Sequence, residues 1–391
     1  MRRQTLLLFV LWIFYCTSTG FSQSVQAKPG HPQAKEAKGS LSDAPAAEAL
    51  RDSLFRSLEN AKINSQKADI YFRISRYYAD RLKIDSALFY SDKVKEESVA
   101  GNYELGMAKY YLSRSHALFF RNIREPENLD KAIDIIIQYK DAALSGFAYR
   151  VRARNNIELK NIAQARKDFH AAIRYFNNAG ALIPLQFVYY ELGISFDHTL
   201  ETDSSAYYLI LALKLAEKLD IPGRIFGASS TLGELYYVSD DLPNAARYLK
   251  YASDICPPGM SNILVRSNLA SYANCLLKQG EFQKAEIALK EYELVNQKLG
   301  DNWGVIMLNA IKGTYHFHKK NYSEALQLLQ SAYDGMYNTR RLSFEMKNIA
   351  YYRGRTEFAI GQYDNAIKHL LYALQLNSTQ RPVENITDAN L

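Results

Sequence analysis

Leu232-Gly-Glu-Leu-Tyr-Tyr-Val-Ser-Asp-Asp-Leu-Pro-Asn-Ala-Ala-Arg-Tyr-Leu-Lys-Tyr-Ala-Ser-Asp-Ile-Cys-Pro257 is the stretch whose frame recurs along most of the chain. Its small residues Gly233, Ala245 and Ala252 stand 12 and 7 positions apart, with Tyr236 and Leu249 between them. Small side chains at that spacing, inside apolar residues of helical period, describe two short antiparallel helices that approach closely at a few points.

Aligning each unit on its second-helix alanine gives Ala87, Ala132, Ala165, Ala206, Ala245, Ala285, Ala325 and Ala366, separated by 45, 33, 41, 39, 40, 40 and 41 residues. Repeats of 20–50 residues signal a solenoid, in which no unit buries its apolar face alone and stacking completes the core. First-helix partners of these alanines are Gly233, Ala273, Gly313 and Gly354, and Gly193 in unit four, where one extra residue precedes Ala206. Unit two carries a longer loop, Arg124-Glu-Pro-Glu-Asn. The pattern L-G-x-x-Y…A…L…P resembles the tetratricopeptide repeat (TPR) at every position of the Leu232–Pro257 unit except the leading Trp, over roughly residues 60–380. The period of about 40 is longer than the minimal 34, and the six added residues are expected to lengthen the second helix. Lys284 to Leu299, for instance, keeps a helical pattern up to the C-cap signal Gly300-Asp301. The expected fold is all-α, an α-α superhelix of about eight helical hairpins over residues 48–380.

The ends read differently. Arg2 and Arg3 precede ten apolar residues, Leu6 to Tyr15, and then small polar ones. Ten is too few to span a bilayer and fits the core of a secretory signal, with cleavage after Ser22 or Ala27. Residues 1–22 are thus expected to be a signal peptide, and the protein to be exported to the periplasm or cell envelope of a Gram-negative bacterium. Residues 23–47 are rich in Pro, Gly, Ala and Lys without an apolar period and read as a flexible linker. Leu50, Leu54 and Leu58 start a leading helix. Residues 381–391 read as the opening of a further helix or a tail.

Hydrophobic content of 48% and charged content of 23% are those of a folded chain with a substantial core. The formal charge of +7 is dispersed, with no run of five like charges, so no nucleic-acid footprint is expected. Cys256 lies before the Pro257-Pro258-Gly259 turn and Cys275 well into the next helix, too far apart to bridge, so two free thiols are expected. No nucleotide-binding, zinc-protease or serine-hydrolase motif occurs, and His316 and His318 are two apart, which on a helix turns them to different sides. No enzyme activity, cofactor or metal is expected.

The resemblance to TPR proteins implies a concave face lined by first helices. Carrying the family's positions across gives Arg76, Arg150, Arg154, Tyr190, Tyr237, Phe317, His318, Tyr351, Arg355 and Phe358, together with Phe72. Arginines among aromatics suit an extended peptide with a carboxylate or acidic side chain. The function this implies is an exported, non-catalytic scaffold for a protein or peptide. The alternative is the sensor portion of a membrane-anchored histidine kinase or DNA-binding regulator.

Overall fold

The computed structural model describes residues 44–197, 201–338 and 344–378, and among these there is helix and no strand. The residues read as signal peptide, the linker up to Asp43, and the segment 381–391 lie outside the described residues. The described helices fall into two compact units that meet in sequence at Arg224 and Ile225.

In the N-terminal unit a leading helix, α1 (Ala44–Glu59), begins inside the segment read as linker, ahead of Leu50. Four hairpins follow. They are α2 (Asn64–Ala79) with α3 (Ile84–Ala100), and α4 (Glu104–Phe119) with α5 (Pro126–Gln138). Then come α6 (Ala142–Glu158) with α7 (Ile162–Asn178), and α8 (Leu182–Asp197) with α9 (Thr202–Lys218). The C-terminal unit holds four more: α10 (Pro222–Val238, from Ile225 onward) with α11 (Leu242–Ile255), and α12 (Asn262–Lys278) with α13 (Phe282–Leu299). The last two pair α14 (Asn302–His318) with α15 (Tyr322–Asn338), and α16 (Phe344–Ala359) with α17 (Tyr363–Ser378). Eight hairpins is the number the repeat frame gave.

What pins four of the eight hairpins is a glycine against a leucine 16 residues later. A Cβ built on Gly233 would lie 2.5 Å from Leu249 Cγ and 3.0 Å from the Leu249 backbone nitrogen. Gly193 meets Leu209 at 2.8 Å, Gly313 meets Leu329 at 2.6 Å, and Gly354 meets Leu370 at 2.8 Å. Leu249 and Leu329 are fully buried, each contributing about 1.5–3 kcal/mol of apolar transfer. This constant offset corrects unit four. Twelve residues after Gly193 stands Ser205, fully buried, rather than the neighbouring Ala206. A serine hydroxyl is nearly as small as a methyl, so it fits the same contact. With Ser205 in place the spacing from Ala165 to Ala245 is two steps of 40 and the extra residue disappears. The other seven second-helix alanines are all buried.

The added length is shared, not confined to second helices: α4, α8 and α16 have 16 residues, and α6, α7, α9, α10, α12, α14 and α15 have 17. The half-repeat is close to 20 residues, and it is marked by left-handed backbone. Leu82, Asn102, Asn122, Lys140, Lys160, Gly180, Asp220, Asp240, Gly280, Gly300, Lys320 and Gly361 all have positive φ, most of them about 20 residues apart. At most of these turns a backbone N–H reaches back five residues to a helix carbonyl. Examples are Tyr103 to Ser98 at 2.8 Å, Asn161 to Asn156 at 2.8 Å, and Asn321 to His316 at 2.9 Å. This is the Schellman closure, which satisfies orphan carbonyls and reverses the chain in three residues.

First helices of successive hairpins touch directly: α2 with α4, α4 with α6 and α6 with α8 in the N-terminal unit, α12 with α14 and α14 with α16 in the C-terminal unit. Their side chains one or two positions off the small contact residue therefore form a shared inner face in each unit.

Candidate functional site

In the N-terminal unit the inner face gathers Arg76, Arg150 and Arg154, three of the expected residues, around two carboxylates. Arg150 forks onto Glu191, with Nε and Nη2 each donating at 2.7 Å. Arg154 Nε lies 3.5 Å from the same carboxylate and its guanidinium sits 4.0 Å from the Phe119 ring centroid. Arg76 stacks on Phe147 at 3.8 Å, and its Nε is buried without a hydrogen-bond partner. At the end of α2, Asp80 meets His116 of α4 at 3.0 Å. Arg224, at the start of α10, lies 3.9 Å over the Phe187 ring and donates to the Ile183 carbonyl.

Four guanidiniums thus face two carboxylates, and the ionisation of the groups reflects the excess. Burial, opposed by Glu191 and reinforced by the Arg150 charge, brings Arg154 down to about 10. Burial and Arg150 bring Arg224 down to about 10 as well. Burial also lowers Arg76, with Asp80 opposing and Arg150 and Arg73 adding to it. Arg154 and Arg224 stay protonated at neutral pH. Arg150 moves the other way: burial would lower it, but the Glu191 carboxylate raises it. Burial would raise the Asp80 carboxyl, yet the His116 hydrogen bond and the Arg76 and Arg150 charges hold it at about 2. The Asp80 side chain is 53% exposed, so it is the acid that meets solvent on this face. His116 is 2% exposed, and burial with the Arg154 and Arg150 charges keeps its imidazole below the usual histidine range despite Asp80. Such a face, half-buried, aromatic-floored and carrying surplus N–H donors, is suited to hold an anion.

The structure corrects two sequence assignments here. Phe72 is buried beneath Arg76 and belongs to the core. Arg150 is committed to Glu191 in a bidentate pair, so it organises the face more than it offers a vacant donor. Tyr190, beside Glu191 on α8, is half-buried.

In the C-terminal unit the expected residues Phe317, His318, Tyr351 and Arg355 do come together. The Arg355 guanidinium lies 5.0 Å from the Phe317 centroid and donates to the Tyr351 hydroxyl at 3.2 Å. His318 packs between Phe282 and Tyr352, at 5.7 Å from each, with its Nε2 buried and unpartnered. Burial and the Arg355 charge hold His318 below the ordinary value. Tyr237 pairs instead with Lys278, whose ammonium lies 4.7 Å over the ring. Phe358 is 62% exposed and meets Tyr363, at the start of α17, edge-on. It stands apart from the Phe317 group in this contact pattern. His316 lies 3.2 Å from Glu324, away from the His318 contacts.

Sequence reasoning missed Glu191, Asp80, His116, Arg224 and Tyr352. Glu191 carried the one available signal, standing two residues before the contact glycine Gly193 as an acid inside an apolar helix. Asp80 and Arg224 lie at helix ends, where a charge is ordinarily read as solvated. Both free thiols are present, with Cys275 fully buried and Cys256 partly so. Among the described residues no helix is long and apolar enough to cross a membrane, and no three metal-ligating side chains gather.

No protein-family model and no curated protein matches the sequence. Solved structures do share the fold. The apo form of RapI is similar with a TM-score of 0.63 and 13% identity, over 85% of this chain and 92% of that one. The apo form of the quorum sensor NprR from B. thuringiensis follows with a TM-score of 0.56 and 12% identity, over 86% and 94%. A Rap protein complexed with Competence and Sporulation Factor has a TM-score of 0.51 and 16% identity, over 86% and 93%. Together with the hairpin geometry, this gives the chain a TPR-like helical-repeat fold.

Proposed function

We propose that this chain is a non-catalytic scaffold that holds an extended acidic segment of a protein or peptide against the inner face of its N-terminal unit. One observation carries the reading: four guanidiniums from alternate first helices converge on two carboxylates, one of which is saturated by Arg150. The surplus donors of Arg76, Arg154 and Arg224 would meet the ligand's carboxylates, while Phe119, Phe147 and Phe187 hold those guanidiniums flat. The Phe317 group in the C-terminal unit would offer a more aromatic surface of the same kind.

The test uses labelled extended peptides bearing Asp and Glu, against counterparts with Asn and Gln. Arg76→Gln and Arg224→Gln are each expected to weaken the acidic peptide about tenfold while leaving the amide peptide unchanged. Glu191→Gln frees a further charge and is expected to tighten acidic-peptide binding, while costing about 2 kcal/mol of stability. Equal binding of the acidic and amide peptides would sink the reading.

A second reading is favoured by the leader-like residues 1–22 and by the description of NprR as a quorum sensor. Here the array is the sensor part of an exported signalling protein, lodged in the periplasm or cell envelope. N-terminal sequencing of the mature protein from an envelope fraction checks export, with a start after Ser22 or Ala27 expected. An unprocessed chain found only in the cytoplasm would reject it.

A further inference from the structure

The short second helix α5 leaves a cavity that the inner face does not use. α5 has 13 residues where α7 and α9 have 17, because the longer α4–α5 loop delays its start to Pro126. The space, about 350 Å³, is bordered by Asp130, Arg152, Asn155, Asn156, Asn161 and Gln164. The nitrogen donors of Arg152, Asn155, Asn156 and Gln164 are already engaged. Arg152 gives two hydrogen bonds to the buried Asp168, at 2.9 and 2.8 Å, and one to Asp130 at 2.7 Å. Asn156 and Gln164 both turn their amide nitrogens to Asp168, at 3.2 and 3.0 Å. The Asn155 amide nitrogen bonds to the Val151 carbonyl at 2.9 Å.

With the nitrogen ends turned to Asp168 and Val151, the oxygen ends are left over. Asn155, 97% buried by its 3% exposure, has an Oδ1 that accepts no hydrogen bond. The carboxamide oxygens of Asn156 and Gln164 and the second oxygen of the exposed Asp130 carboxylate remain open to a donor. At the cavity wall the Asp130 carboxylate and the Arg152 guanidinium balance, and the buried Asp168 behind Arg152 leaves this group of three with one negative charge. The end of α6 at Leu159 and the start of α7 both border it, and these helix ends of opposite polarity offset one another.

We propose that this cavity binds a cation rich in N–H donors, a guanidinium or a primary ammonium, belonging either to a small amine or to an Arg or Lys side chain of a partner protein. Asp130 supplies the charge, and the carboxamide oxygens of Asn156 and Gln164 accept the remaining N–H groups. The site is independent of the acidic-peptide face, which lies on the first helices' other contacts.

Calorimetric titration of the full chain would use three probes: agmatine, a blocked Gly-Gly-Arg-Gly-Gly peptide, and the same peptide with citrulline for arginine. Agmatine is expected to bind, and the citrulline peptide to bind at least about tenfold more weakly than the arginine peptide if the latter binds. Binding of agmatine alone assigns the site to a small amine; binding of both assigns it to a side chain that can reach in. Asp130→Asn, a change at an exposed position, is expected to weaken binding about tenfold, and Gln164→Ala to weaken it less. Circular dichroism melting confirms that both variants fold. No binding of agmatine or the arginine peptide, or equal binding to the parent and both variants, overturns the proposal.

Discussion

Replacing Gly313 by leucine would drive a side chain into Leu329, whose Cγ already lies 2.6 Å from where a Cβ would stand. Overpacking of this kind costs about 1–3 kcal/mol, and a lower urea midpoint would register it. Combining Gly313→Ala with Leu329→Ala should give back part of the loss, because the clash and the cavity offset each other. Strict additivity of the two changes would mean that these side chains do not meet. His116 supports a second prediction at this scale. Its folded-state value lies below the ordinary 6.5, so in acid the unfolded chain takes up a proton that the folded chain refuses. Stability should therefore fall as pH drops through 6.5, and level off below the folded value. His170 and His318 are lowered too and add to the slope. Asp80 acts in a separate window: its contribution is present above 3.8 and lost between there and about 2. Urea midpoints at pH 7.5 and 5.5 should converge partly in His116→Gln, and an unchanged difference would exclude His116 as a source.

Among the elements, the turns carry the least obvious information. Glycine marks the left-handed position at Gly180, Gly280, Gly300 and Gly361, but Leu82, Lys140, Lys160 and Lys320 occupy the same conformation elsewhere. A non-glycine side chain there costs about 1 kcal/mol, which the surrounding helix contacts overcome. Lys320→Gly is accordingly expected to raise stability by about 0.5–1 kcal/mol, the relief of backbone strain exceeding the added freedom of the unfolded chain. A drop in melting temperature would place Lys320 in a contact worth more than its strain. Ser205 shows the complementary lesson. The alanine beside it hid the register in the sequence, whereas the leucine four residues later, pressed on Gly193, reveals it.

For the whole chain, the +7 charge is too dispersed to suggest a partner, and the local surplus on the N-terminal inner face is what counts. Binding of an acidic peptide should therefore weaken as salt rises, since the screening length shrinks from about 10 Å at 0.1 M to about 3 Å at 1 M. The half-buried donors should retain part of their hold at the higher salt. Affinity independent of salt would point to an apolar ligand and favour the Phe317 group. The all-α class, eight hairpins and the glycine and alanine contacts were settled by local spacing, because a solenoid repeats one short-range problem and each helix announces its apolar side by period. Which arginines are free could not be settled that way. Glu191 stands 41 residues from Arg150, and Asp80 stands 36 from His116. Only the stacking of one first helix on the next brings such charges within bonding distance, and that pairing decides which donors remain for a ligand.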